Sequence, residues 1–201
     1  MSDNATNRHA SDADLDLLFR KARTHTAWQN IDIALETVIE AYNIARMGPT
    51  SANSSPMRIL FLKSEEAKAR LYPALAPTNV EKSRTAPIVA IIAYDTEFYE
   101  KLPKLYPAVD ARAWFVGNQP LIDDTAFRNS SLQGAYFIIA ARAVGLDCGP
   151  MSGFDQSKVN AEFFPDGKWK ANFVCNLGYG DHAKVYPRAP RLEFEEACKV
   201  L

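Results

Sequence analysis

Apolar residues recur along this chain at two periods, and each change of period marks an element. Residues 1–12 are polar, follow neither period and read as a disordered leader. Leu15, Leu18 and Phe19 then share one helical face. Leu35, Val38, Ile39, Tyr42 and Ala45 repeat at helical spacing; Asp32 is placed to cap the start and Gly48-Pro49 to stop the end. A strand-like run covers 58–62, and Ser64 opens a helix over 64–72. Residues 87–94 have the length and β-branching of a buried strand. Residues 101–120 hold Pro103, Pro107, Trp114 and Phe115 without a period and read as a lid or binding loop. The longest helical pattern runs from 123 to about 144, with Leu132, Ala135, Tyr136, Ile139, Ala140 and Ala143 on its packed face and Gly145 as its stop. Residues 148–154 read as a turn, 156–164 as a short helix and 171–178 as a strand. An arm with Pro and Arg, 184–201, closes the chain with a helical turn over 194–200. Few strands, many helices and no internal repeat predict one α+β domain over 13–201.

Composition narrows the classes. At 201 residues, 47% apolar and 23% charged, the chain can bury roughly 70% of its unfolded surface without metal or disulfide staples. That excludes a disordered, a collagen-like and a disulfide-stapled chain. A net charge of −1 argues against a dedicated nucleic-acid binder. No apolar run reaches the length of a membrane span, and the N-terminus has no signal-peptide pattern. Cys148, Cys175 and Cys198 are odd in number and far apart, so zinc and dithiol chemistry are not expected and a reducing cytoplasm is the simplest compartment. His9, His25 and His182 show no ligand partners in sequence, and no metal site is expected.

Five segments carry candidate chemistry. Ala22-Arg-Thr-His-Thr26 sets a guanidinium beside hydroxyls, which suits a phosphate and equally describes a solvated helix end. Pro49-Thr-Ser-Ala-Asn-Ser-Ser-Pro56 presents hydroxyls and an amide that can donate and accept along one heterocycle edge; a plain loop has the same composition. Gly149-Pro-Met-Ser-Gly-Phe-Asp155 permits close backbone approach to a planar ligand, and Ser152 is out of register for a nucleophile elbow. Gly178-Tyr-Gly-Asp-His-Ala183 matches a dinucleotide fingerprint but opens no βαβ unit, so it reads as a turn. Tyr186-Pro-Arg-Ala-Pro-Arg191 stiffens two arginines for an anion, or forms a surface arm.

In this order the segments resemble the nitroreductase family of flavin enzymes, and within it the malonic semialdehyde reductase subgroup of pyrimidine utilisation. Glu97-Phe-Tyr-Glu100, Thr125-Ala-Phe-Arg-Asn-Ser-Ser131 and Pro190-Arg-Leu-Glu-Phe-Glu-Glu-Ala-Cys198 extend the likeness over nearly the whole chain past residue 14. The resemblance implies a three-layer α+β sandwich around a mainly antiparallel sheet, and an intertwined homodimer with FMN at its interface. It implies that Arg23, Thr24 and His25 contact the phosphate and ribityl side, with Arg188 or Arg191 completing the phosphate site. Pro49, Thr50, Ser51 and Asn53 would meet the ring or its chain, Ser55 would reach the partner's flavin, and Pro150, Met151, Ser152 and Gly153 would lie over the isoalloxazine. Many relatives place Glu at Ser152 and Arg at His25. The implied activity is hydride transfer from NADPH, or NADH, through FMN to a small acceptor: malonic semialdehyde, giving 3-hydroxypropionate. Arg112 and Arg128 are candidate anchors for its carboxylate. The rivals are a broad nitroreductase or quinone reductase, and a flavin-binding scaffold without turnover.

Overall fold

The computed structural model describes residues 9–201. Four strands form one antiparallel sheet: β1 (Met57–Leu62), β2 (Ile88–Asp95), β3 (Asp147–Met151) and β4 (Trp169–Gly178), in the order β1-β2-β4-β3. The longer helices are α1 (Leu35–Ala45), α2 (Glu65–Leu71), α3 (Pro77–Arg84), α4 (Gln119–Ala143) and α5 (Gln156–Phe163). The apolar run of β2 is buried on both faces, as its unbroken hydrophobicity predicts. Ile88, Ala90 and Ile92 face α1 and α4 with Val38, Ala41, Phe137 and Ala141; Val89, Ile91 and Ala93 face the other side with Leu71, Val159 and Val174. This is the expected three-layer α+β sandwich.

Several local expectations need correction. The 1–12 leader lies mostly outside the described residues, and within them Ser11 closes a capping box with Asp14 over the helical turn Asp12–Leu15. A π-helical stretch, Asp16–Arg20, follows where Leu18 and Phe19 suggest an α-helix. Asp32 does not cap α1: its carboxylate pairs with Lys63 at 3.0 Å, and Ala34 occupies the cap without a side-chain bond. Gly48 is not a left-handed C-cap. It stands against the Tyr136 ring, which a Cβ would meet at 2.2 Å. Residues 101–120 are not an open loop. Short helical turns there enclose a small core of Phe98, Leu102, Ala111, Phe115, Ile122 and Ala126. Helix α3 has too few apolar residues to register as a periodic pattern, and residues 148–154 are mostly strand β3 rather than a turn. Helix α4 begins at Gln119, with Asn118 as its cap, and Gly145 ends it at φ +84° as expected.

The buried face of α4 is the largest departure. Thr125, Asn129, Ser130, Gln133, Phe137 and Ala141 are inside, whereas Leu132 and Ala135 are exposed. On α1, Leu35, Ile39 and Tyr42 are likewise exposed while Val38, Ala41 and Ala45 pack inward. Both helices therefore point apolar side chains away from their own core.

Candidate functional site

The Arg23–Thr26 segment runs beside the edge strand β3. Thr24 forms a parallel bridge with Cys148, and the His25 amide donates to the Cys148 carbonyl at 3.1 Å. The arm after β4 returns over this segment. Arg23 donates to the Tyr186 carbonyl, and Arg188 donates to the carbonyls of Arg20 and Ala22, both at 2.8 Å. Together they shape a cleft of about 630 Å³ whose lining includes Arg20, Arg23, Thr24, Thr26, Arg142, Arg188 and Arg191. Five guanidiniums and two threonine hydroxyls line it, with no carboxylate among the lining residues. Guanidiniums offer paired donors to phosphate oxygens, so this donor set fits a phosphomonoester. The structure thus joins the early Arg-Thr turn with both tail arginines. Thr26, of the same early segment, joins them as well, and Arg20 and Arg142 join them unforeseen, because nothing in their local sequence marks them as site residues.

One stripe of α4 leads from the cleft toward a second hollow. Ser131, Ala135, Ile138 and Arg142 follow one another at helical spacing, and this stripe measures about 16 Å at the rise of an α-helix. Its far end forms a second hollow of about 360 Å³ with Pro150, Met151, Ser152 and Phe173. Cys148 turns its hydrogen-bonding groups outward to the Arg23–Thr26 segment, so Pro150, two residues on, has the same register. A proline there forfeits no ladder bond, as edge strands allow. Helix α3 fixes the following turn: the Gly153 carbonyl accepts from the Ala76 amide at 2.9 Å and from Asn79 Nδ2 at 3.0 Å. A Cβ on Gly153 would stand 2.7 Å from Asn79 Nδ2.

The Pro49–Pro56 segment is elsewhere. It lies over the middle of α4, on a different face from that stripe. The Ser51 amide donates to Asn129 Oδ1 at 2.8 Å, Tyr136 donates to the Pro49 carbonyl at 3.2 Å, and Asn53 Nδ2 donates to the Leu105 carbonyl at 2.8 Å. Ala52, Asn53 and Ser55 adopt left-handed φ of 50°, 50° and 42°. Each such residue costs on the order of 1 kcal/mol or more, and such strain gathers at functional sites. Within one chain, Pro49, Thr50, Ser51, Asn53 and Ser55 do not meet Pro150–Gly153.

His25 also departs from its expected place. Its ring is only 2% exposed and lines a different cavity from the arginine cleft, beside Asp147 and His182. Burial pushes its pKa below the ordinary histidine value, and the Asp147 carboxylate offsets this in part. His25 and His182 therefore have neighbours that the sequence did not suggest. Arg112 and Arg128 are both engaged: Arg112 grips Glu100 through two bonds of 2.7 and 2.8 Å, and Arg128 pairs with Asp124 at 2.8 Å. No helix among the described residues is long and apolar enough to cross a membrane.

The model of the nitroreductase family matches residues 20–179. A Ralstonia nicotianae protein provisionally named NADH dehydrogenase/NAD(P)H nitroreductase is 58% identical over 187 residues, covering 93% of this chain and 96% of its own. A Rhodopseudomonas palustris protein of the same provisional name is 57% identical over 190 residues, covering 94% and 97%. Among solved structures, a nitroreductase from Exiguobacterium sibiricum in complex with FMN superposes with a TM-score of 0.85 at 22% identity, covering 98% of this chain and 100% of its own.

Proposed function

The chain belongs to the nitroreductase family, and we propose that it is an FMN-dependent oxidoreductase drawing hydride from NADPH or NADH. One observation carries this reading. The cleft of five arginines and the hollow at Pro150–Ser152 stand at the two ends of one α4 stripe about 16 Å long. That is the shape of a phosphate joined by an extended chain to a flat ring. Arg23, Thr24, Arg188 and Arg191 would hold the phosphate, with Arg142 adding charge; Arg20 is paired with Asp12 at 2.7 Å. Ala135, Ile138 and Phe173 would pack against the ring, and Pro150, Met151, Ser152 and Gly153 would border it. Bound there, FMN supplies a reversible two-electron hydride carrier. The protein fixes its orientation and limits access of water to its face. The Ser152 side adds no negative charge to the site, which leaves room for an anionic reduced ring.

Pro49, Thr50, Ser51, Asn53 and Ser55 reach this groove in our reading only from a second copy of the chain. The exposed apolar side chains of Leu35, Ile39, Ile44, Met47 and Leu132, together with the exposed arm from Tyr186, supply the surface for such a homodimer. His25 stands behind the phosphate site rather than in it.

For the acceptor, the sequence segments favour malonic semialdehyde, reduced to 3-hydroxypropionate. A neutral nitro or quinone acceptor is favoured by one contact pattern: Arg112 and Arg128 are already neutralised by Glu100 and Asp124. The deciding experiment loads the protein with FMN, desalts it, and adds NADPH without oxygen. Retained flavin bands that bleach establish a flavin reductase, and turnover of malonic semialdehyde against nitrofurans and quinones then ranks the acceptors. Absence of retained flavin would refute the reading.

A further inference from the structure

Behind the arginine cleft, three segments distant in the chain bring two imidazoles and a carboxylate together. His25 follows the Arg23-Thr24 edge, Asp147 begins β3, and His182 opens the short helical turn His182–Lys184 after β4. One donor atom from each lies within 4.8 Å of the others. His25 is 2% exposed, and neither of its ring nitrogens has a hydrogen-bond partner. A buried imidazole with both nitrogens unpaired is costly. Its Nε2 lies 3.3 Å from Asp147 Oδ1. The His182 ring meets it edge-on, 5.0 Å between centroids. Asp147 is aimed by its other oxygen, which accepts from the Gly180 amide at 2.9 Å. The close approach of Gly180, where a Cβ would meet His25 Nδ1 at 1.9 Å, leaves the ring no room to turn away.

We propose that His25, Asp147 and His182 form a binding site for one divalent transition ion of the zinc class. Two neutral imidazoles and one carboxylate are the donor set that suits zinc, with a fourth position left to water or an anion. Bonds of about 2.1 Å in a tetrahedron set neighbouring donors about 3.4 Å apart. The His25–Asp147 separation already has that value, and the exposed His182 on its short turn has the freedom to close the third side. Arg23 and Arg142 oppose a cation here and Asp181 favours one; Lys21, which also lines the cavity, is neutralised by Asp16 at 2.6 Å. The ion would fasten the root of the C-terminal arm to β3 and to the Arg23 segment, and so steady the arginine cleft from behind.

Zinc titration of the chelator-treated full-length protein, read by competition with a chromogenic chelator, tests this with or without flavin. We expect one equivalent per chain and a zinc-dependent rise in melting temperature. His182→Ala, at an exposed position that the fold does not need, should weaken zinc at least tenfold and abolish the rise. Asp147→Asn should do the same, while His9→Ala should leave both unchanged. No stoichiometric binding, or equal binding by wild type and His182→Ala, would overturn the proposal. Zinc itself is the readout, so failure leaves the flavin reading intact.

Discussion

Arg23→Ala removes one of the five guanidiniums facing the cleft and one of the two arginines that tie the returning arm to the N-terminal segment. A hydrogen bond to a charged group contributes about 1.5–3 kcal/mol, more than a neutral one. Taking about 2 kcal/mol for Arg23 against a phosphate, FMN should dissociate roughly 30-fold more readily. Arg188 still holds the arm through its two 2.8 Å bonds, so the variant should fold. Flavin fluorescence quenching gives the dissociation constant, and riboflavin gives the control because it lacks the phosphate. The FMN-to-riboflavin affinity ratio should collapse in Arg23→Ala, and Arg23→Lys should recover only part of it, since an ammonium keeps charge but not the fork. Arg112→Ala, already paired with Glu100 away from the cleft, should change nothing. An FMN constant within about threefold of wild type, or equal weakening of both ligands, would refute the phosphate assignment; threefold is only about 0.65 kcal/mol.

Ile39→Glu places a charge on the exposed apolar face of α1, where Ile39 is 48% and Leu35 59% exposed. Light scattering should report a monomer with reduced FMN retention, and an unchanged dimer mass would remove α1 from the interface. Asn129→Ala should cost about 1–3 kcal/mol in denaturant unfolding, because the Ser51 amide loses its acceptor. It should also weaken flavin retention through the displaced 49–56 segment; full retention would separate that segment from the site. Folded His25 has a pKa below the ordinary histidine value of about 6.5, so the unfolded chain binds the extra proton first as pH falls. Its contribution to stability is complete above about pH 6.5 and is lost as pH drops toward the folded pKa. His25→Asn should flatten that acid limb in urea titrations, and an unchanged limb would assign the acid sensitivity elsewhere.

The sheet and the two layers on it were legible because β1 and β2 carry nearly unbroken apolar runs and β4 a shorter one, and such runs announce themselves without knowledge of their partners. Strand β3 did not, since Gly149 and Pro150 carry no strand propensity; its place comes from Leu177 and Asn176 across the ladder. The 101–120 region was misread for a similar reason. Its order comes from Phe98, Ile122 and Ala126, which lie outside the window that suggested a lid. Of the candidate site, Arg23, Thr24, Arg188, Arg191 and the 150–153 turn were visible as segments, but only the fold joins the first four into one cleft. Arg142 was invisible as a site residue because a single arginine near a helix C-terminus reads as an ordinary cap.

Helix α4 explains why hydrophobic periodicity misled where function is concentrated. A face was assigned from Leu132, Ala135, Tyr136, Ile139, Ala140 and Ala143, on the premise that apolar side chains point to the core; of these only Ala140 is buried. The helix instead buries Asn129 and Gln133, and each accepts from a backbone amide of the 49–57 stretch: Ser51 at 2.8 Å and Met57 at 2.9 Å. Asn172 Nδ2 completes the polar face by donating to Ser130 and Ser131 at 2.8 and 2.9 Å. Leucine or isoleucine at those positions would leave buried amides unpaired and release the left-handed turn at Ala52–Ser55. The apolar residues so displaced from the core face outward: Ala135 and Ile138 toward the groove, Leu132 toward solvent. A helix that positions a strained loop on one side and offers a ligand surface on another has to spend its polar residues inside, and its inverted pattern is itself the sequence mark of that double duty.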